Sequence, residues 1–406
     1  MLVKAPKRGI IWACGVHTTL IKNRYYSMKK HLPFCCLILL SIQSLSAQEQ
    51  PSPQSFPLSF EASYTGDGLG NFTGGIKKGA SYLGMAQLGF TFDTEKSNLW
   101  KGGLLHVSGT NAHGGTPSET LIGDFQVVSN IEAGNMTFVQ ELWYSQQIDH
   151  FSTAIGLQDL SSVFAASEAA SLYLNSSFGI HSTIASNIPS PIFPVTAFGW
   201  QIGYELTDQA IVNIAIFDGM PEGTDQETYN LAWHLNPEDG FQIFAEYSLS
   251  DPLKGFHGGH YKVGAYLHRH YEPDDPTEAS DRNYGFYLVA DQTLFKQTNS
   301  RTLTGFLQAS VSPGTQNDNN NYLGLGLNIT RLFSNHSDDV LGLAIARAGF
   351  RNQSYSSETT LELTYQLPLA DFIYIQPDIQ YVIHPSGTNE NLDNALVGIL
   401  RVGLSF

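Results

Sequence analysis

From about residue 57 to its end, this chain alternates apolar and polar side chains in short segments punctuated by Gly, Pro, Asn, Asp and Ser. In one segment Phe241, Ile243, Ala245, Tyr247 and Leu249 share a parity, and Gln242 and Glu246 take the other. Leu303, Gly305, Leu307, Ala309 and Val311 are likewise set against Thr304, Gln308 and Ser310. Leu361, Leu363, Tyr365 and Leu367 are backed by Thr360, Glu362, Thr364 and Gln366, and Ile373, Ile375, Ile379 and Tyr381 by Gln376, Asp378 and Gln380. Successive side chains of a strand point to opposite faces, so each segment predicts a strand with one apolar and one polar face.

The last twelve residues (ALVGILRVGLSF) carry the pattern to the final residue. Leu396, Leu400, Val402, Leu404 and Phe406 fall on one parity, Arg401 and Ser405 on the other. An apolar face toward lipid, a polar face toward water and a terminal aromatic at the membrane interface are what a transmembrane β-barrel requires. A charge on the lipid face near the midplane costs about 2 to 4 kcal/mol, so Arg401 belongs on the water side. About 16 to 18 such segments follow Pro57, and bacterial single-chain barrels have even strand numbers. The expected fold is therefore an all-β, antiparallel transmembrane barrel of 16 strands, with 18 as the alternative and an aqueous lumen. Residues Ser161 to Gly179 (SSVFAASEAASLYLNSSFG) break the alternation. They read as a long loop with a short helix at its Ala-rich start, either folded into the lumen or packed outside.

Composition agrees with a lipid-facing β protein: charged residues make up 14% of the chain, aromatics 12%, and there are 38 Gly. The amino-terminal stretch MKKHLPFCCLILLSIQSLSA (residues 28–47) has the charged, apolar and small-residue order of a secretory signal. Residues 28–47 are thus expected to be a signal peptide, 1–27 an upstream extension or misassigned start, and 48–406 a single barrel domain. All three cysteines (Cys14, Cys35, Cys36) precede Gln48, so residues 48–406 contain no disulfide, thiolate metal site or cysteine nucleophile. Seven of the 21 basic residues also precede Gln48, leaving 14 against 37 acidic ones, a net charge of −23 for residues 48–406. Such a balance repels nucleic acid, and it fits either acidic external loops that keep the protein soluble during export or a channel mouth that attracts cations.

Candidate chemistry follows from parity. With Phe138, Leu142 and Tyr144 toward lipid, Glu141 and Trp143 turn inward; with Leu99, Leu105 and Val107 outward, Trp100 and His106 do. A sugar offers hydroxyls and apolar CH faces, so aromatic plates beside hydrogen-bonding groups suit it. The lumen candidates are Trp100, His106, Glu141, Trp143, Glu246, Glu362, Gln376, Asp378 and Arg401, the last pairing with Asp378 or Glu362. The tryptophans fit an interfacial aromatic girdle as an alternative. Four histidines (His257, His260, His268, His270) lack a recognised ligand spacing, so no metal or other cofactor is expected. No acid–base pair, G-x-S-x-G, P-loop or Rossmann fingerprint marks an enzyme.

Several blocks carry a resemblance: GDFQVVSNIEAG (123–134), ELWYSQ (141–146), YLNSSFG (173–179), PVTAFGWQIGYELT (194–207), IFDGMPEG (216–223) and ELTYQLPLADFIYIQPDIQYVIHPSG (362–387). In this order they resemble the carbohydrate-selective porin family of the OprB type. The resemblance implies a 16-stranded barrel in the outer membrane of a Gram-negative-type bacterium, passing carbohydrates by passive diffusion. It also implies that Phe406 resembles the terminal mark read by the barrel assembly machinery. Implied partners are the sugars, outer-membrane lipid and that machinery; the oligomeric state is left open. A non-selective or cation-preferring porin, or a structural or adhesive barrel, is the alternative. The family is thought to use basic groups near its constriction, and few are present here.

Overall fold

A computed structural model describes residues 56–221, 229–231, 239–252, 258–269, 282–297, 301–333, 338–388 and 392–406. The expected extension, signal segment, His257 and His270 lie outside the described residues. Sixteen antiparallel strands among the described residues close into one barrel. The first eight are β1 (Leu58–Gly75), β2 (Gly79–Asp93), β3 (Gly103–Gly114), β4 (Met136–Ile148), β5 (Phe151–Gln158), β6 (Ala197–Thr207), β7 (Ala210–Asp218) and β8 (Phe241–Ser250). The others are β9 (Gly259–Arg269), β10 (Arg282–Lys296), β11 (Thr302–Val311), β12 (Asn319–Thr330), β13 (Val340–Phe350), β14 (Ser357–Ala370), β15 (Ile373–Ile383) and β16 (Asp393–Ser405). Each strand pairs with its sequence neighbours, and β16 returns to β1, with Arg401 opposite Asp67 and Leu404 opposite Tyr64. Closure removes every sheet edge, which lets a backbone cross lipid with its hydrogen bonds satisfied.

The expected parity is the parity of the wall. Leu88, Ile214, Leu343, Leu363, Ile379 and Leu400 point outward and are 46–59% exposed, whereas Gln242, Glu362, Thr364 and Gln380 are fully buried inside. Monomeric soluble proteins rarely expose so continuous an apolar band. Aromatic pairs gather near the end where β1 begins and β16 finishes, Phe60 with Phe90 at 5.2 Å and Phe372 with Phe406 at 6.0 Å. Two-residue connections such as 149–150, 208–209 and 371–372 lie at that end, and the long ones at the other. Short turns face the periplasm and long loops the exterior in such barrels, which sets the orientation.

Among the described residues several strand pairs carry a register shift, and the one between β3 and β4 changes a sequence expectation. Between Ser108/Glu141 and Gly109/Val139 the β3–β4 register slips by one residue, leaving Gln140 as a bulge. A bulge reverses side-chain sense beyond it. Phe138, expected to face lipid with Leu142 and Tyr144, is instead 3% exposed inside the barrel against Phe193.

Candidate functional site

Two of the outer connections fold into the lumen. One spans residues 115–135 between β3 and β4, and the other residues 159–196 between β5 and β6. The second contains the stretch whose alternation broke. It forms three short 3-10 turns (Leu160–Ser162, Ala170–Leu172, Ser176–Phe178) and then the helix α1 (Ser182–Asn187), so helix comes later than its Ala-rich start suggested. The loops meet each other: Asn130 N donates to Leu174 O at 2.8 Å, and Ser176 N to Val127 O at 2.9 Å. Val127, Leu160, Phe164, Ile180 and Ile184 share one apolar cluster with the wall residues Phe217, Phe244 and Val289. This inner layer narrows the lumen from the outside end.

An irregular loop inside a barrel has no ladder partners, and buried N–H and C=O groups left unpaired are costly. Wall side chains provide the partners. Glu246 Oε2 accepts from Ala165 N at 2.8 Å, and Asp291 Oδ2 from Glu168 N at 2.9 Å. Glu362 accepts from Leu174 N at 2.5 Å and Asn175 N at 3.1 Å. Glu358 takes Phe125 N, Gln126 N and Ser386 N at 2.6, 2.8 and 2.6 Å. Wall amides serve the carbonyls: Gln376 Nε2 donates to Leu172 O at 2.7 Å, Gln308 to Phe178 O at 2.9 Å and Gln380 to Val128 O at 2.8 Å. A typical intramolecular hydrogen bond adds roughly 0.5 to 1.5 kcal/mol net, and a buried amide left without one costs about 1 to 3 kcal/mol. The expected lumen residues Glu246, Glu362, Gln376 and Asp378 do face inward, but they are at most 2% exposed and covered by loop. Glu246, Glu362 and Gln376 hold loop backbone, and Asp378 Oδ1 accepts from Gln380.

Arg401 faces the lumen and is 6% exposed. Its expected partners, Asp378 or Glu362, are replaced by Asp67 across the β1–β16 seam, with Nε to Oδ1 at 2.7 Å and Nη2 to Oδ2 at 2.8 Å. Nη2 also donates to Asn130 Oδ1 at 2.8 Å, and Ser129 Oγ to Asp67 Oδ2 at 2.7 Å. The pair thus pins the tip of the first inward loop to the seam. Bidentate geometry is the form in which a buried ion pair best offsets its desolvation.

The stretch of wall on β2–β4 keeps a half-buried polar lining. Trp143 and His106 stack at 4.9 Å with an interplanar angle of 20°. His106 Nδ1 lies 2.8 Å from Thr91 Oγ1, and Nε2 lies 3.8 Å from Glu141 Oε2. Gln87 Nε2 donates to Gln140 Oε1 at 3.0 Å just above them. Trp143, His106 and Glu141, expected inside from parity, are thus brought together. Trp100 is not with them. It stands 52% exposed in the β2–β3 connection and donates from Nε1 to the lipid-side Tyr144 hydroxyl at 2.9 Å. Strand parity does not extend into a turn, so the rule that places Trp143 does not place Trp100.

Charge inside the loops is tempered by burial. Burial, with Asp124 nearby, pushes the Glu132 carboxyl up to about 8, while Glu132 accepts from Ser118 N. Burial raises Asp159 as well; this side chain ties the two ends of the second loop by accepting from Ser161 N at 2.8 Å and Phe193 N at 3.0 Å. His181, wholly buried beside the rings of Tyr287 and Tyr322, is lowered to about 3 by desolvation and is neutral.

Sequence reasoning missed Asp67, Asp291 and Glu358. Glu358 shares parity with Thr360 and Glu362 and was within reach of the same argument. Asp67 sits in GDGLG, where small residues blur the alternation.

A family model described as carbohydrate-selective porin, OprB family, matches residues 77–406. Porin B of Pseudomonas aeruginosa is 23% identical over 418 residues, covering 86% of this chain and 87% of its own. Among solved structures, the high-pH form of OprB from Pseudomonas putida has a TM-score of 0.76 at 21% identity, with 86% of this chain and 94% of that one covered. OmpF from Salmonella typhi has a TM-score of 0.55 at 11% identity, over 86% and 97%.

Proposed function

Because the chain belongs to the OprB family of carbohydrate-selective porins, we propose that sugars cross its barrel along the β2–β4 wall, past Trp143, His106 and Glu141. The protein is an outer-membrane channel for carbohydrates, a porin and not an enzyme. The observation that carries the route is the stacked Trp143–His106 pair, half-buried and flanked by Thr91 and Glu141. An aromatic face takes the CH side of a sugar ring while neighbouring acceptors and donors take its hydroxyls. These contacts must be weak and serial, since a tight site stops flux. Arg401, Glu246, Glu362, Gln376 and Asp378 act on the route through the loops they hold or border. In planar bilayers carrying the protein, Trp143→Ala raises the sugar concentration that half-blocks the current; an unchanged value removes Trp143 from the route.

The rest of the reading concerns delivery and surroundings. Residues 28–47 are a signal removed on export, with 48–406 the barrel domain, and lipid covers the apolar belt. Phe406 is the mark read by the barrel assembly machinery. Amino-terminal sequencing of protein from outer membranes tests the first point, with Gln48 as the expected first residue.

The acidic balance favours a second property, a preference for cations among small ions. A salt gradient across the bilayer reads it from the sign of the reversal potential.

A further inference from the structure

Beneath the second inward loop, on the periplasmic side, lies a cavity of about 580 Å³ against strands β9 to β16. In a 16-stranded ring this is the half of the wall that faces Trp143 across the lumen. Among its ionisable members, Asp291 and Arg401 are committed to the loop amides and to Asp67, while Glu168 of the second inward loop and His260 on β9 also line it. The rest of the wall side is polar and uncharged, with the threonines Thr293, Thr304 and Thr330 on three successive strands and Gln366 on β14, beside the ring of Tyr374.

Tyr374 lies opposite Gly403 in the β15–β16 register. A Cβ placed on Gly403 would fall 2.1 and 2.3 Å from the Tyr374 ring atoms Cε1 and Cζ and 2.6 Å from its hydroxyl Oη. The hydroxyl-bearing edge of the ring therefore crosses over the glycine, and a side chain at position 403 would push it off the wall. The ring is thus held against the barrel at Gly403 and also borders the cavity. An aromatic ring beside a row of hydroxyls and an amide suits the CH face and hydroxyls of a polyhydroxylated ring.

We propose that this cavity is a second carbohydrate station, on the exit side of the channel, in which Tyr374 carries the CH face of a neutral sugar and Thr293, Thr304, Thr330 and Gln366 bond its hydroxyls. The proposal rests on the carbohydrate-channel reading and adds a site separate from the Trp143 wall. Two weak stations in series hand a sugar across the narrow part without trapping it.

The test is current noise and half-block by maltose added to one side of a planar bilayer at a time, on the full barrel. Tyr374→Ala is expected to raise the half-blocking concentration about 3- to 10-fold, in line with aromatic contacts of about 0.5 to 1.5 kcal/mol. The larger change is expected for maltose from the periplasmic side. Tyr374→Phe keeps the plate and stays within about twofold of the parent. Gly403→Ala, which displaces the ring but keeps it, reproduces the Tyr374→Ala shift. Thr304→Val, a smaller change that keeps the wall packed, weakens block in the same direction. If Tyr374→Ala and Thr304→Val leave half-block unchanged from both sides while Trp143→Ala shifts it, the exit station is overturned and the channel reading stands. If the parent barrel conducts but no sugar blocks it or crosses it, the carbohydrate reading itself fails.

Discussion

Arg401 and Asp67 stand 334 positions apart in the chain and meet through two hydrogen bonds of 2.7 and 2.8 Å where the last strand closes on the first. Both are buried, and the same guanidinium reaches Asn130 in the inward loop. Barrel closure and loop position therefore share one ion pair. Removing one member of a buried pair typically costs about 3 to 5 kcal/mol, because the other charge is left without compensation. Arg401→Met is expected to lower the temperature at which the folded barrel is lost on semi-native gels. Asp67→Asn combined with Arg401→Met should recover much of that loss, and a double variant no better than the single would show that the pair does not act as a unit.

Glu362 takes two consecutive loop amides, Leu174 N and Asn175 N. In Glu362→Ala both lose their acceptor, and each buried amide left unpaired costs about 1 to 3 kcal/mol. The second inward loop should loosen and single-channel conductance should rise, with noisier open current. Glu362→Gln, which keeps one acceptor oxygen, is expected to fall between the two. Conductance equal to the parent in Glu362→Ala would mean that the loop is held elsewhere.

The first inward loop should respond to pH through Glu132, whose carboxyl burial raises to about 8. With a folded value above the unfolded one near 4.5, the folded loop binds the proton more tightly. The stabilisation is complete below the unfolded value, declines as pH rises from there, and is gone above about 8. Proteolytic nicking within residues 115–135 should accordingly increase between pH 5 and pH 9, ranges set by that displacement. Glu132→Gln should flatten the profile; a variant as pH-sensitive as the parent would assign the effect to another group.

Phe406 is paired as a strand residue, its N–H donating to Ala62 O at 2.8 Å, and its ring stacks with Phe372. That ring is 72% exposed, so its removal should cost the finished barrel little. Phe406→Ala is expected to reduce the amount of protein reaching the outer membrane much more than it lowers the melting temperature of purified barrel. Equal effects on both would make Phe406 a stability residue and not an assembly mark.

The wall was legible in the sequence because lipid on one side and water on the other impose a period of two, which the strands follow except where a bulge interrupts it. Arg401 was placed inside by that rule alone. Its partner was not, because closure brings β1 to β16 and no local pattern states which residues then face one another. Phe138 was misplaced by a single bulged residue, and Trp100 by carrying strand parity into a turn. The stretch 161–179 announced itself as a loop by losing alternation. The role of Glu246 and Glu362 was harder to see: an inward carboxylate reads as a sugar contact until the loop that covers it is in place, and loop amides carry no side-chain signature.

The most direct measurement is flux through the intact barrel. Protein refolded into planar bilayers should give steady, ohmic current that added glucose or maltose reduces in a saturable way, and liposomes carrying it should swell in the same sugars. A folded, closed barrel that passes no current, or one whose current is indifferent to sugars while liposomes fail to swell, would contradict the account.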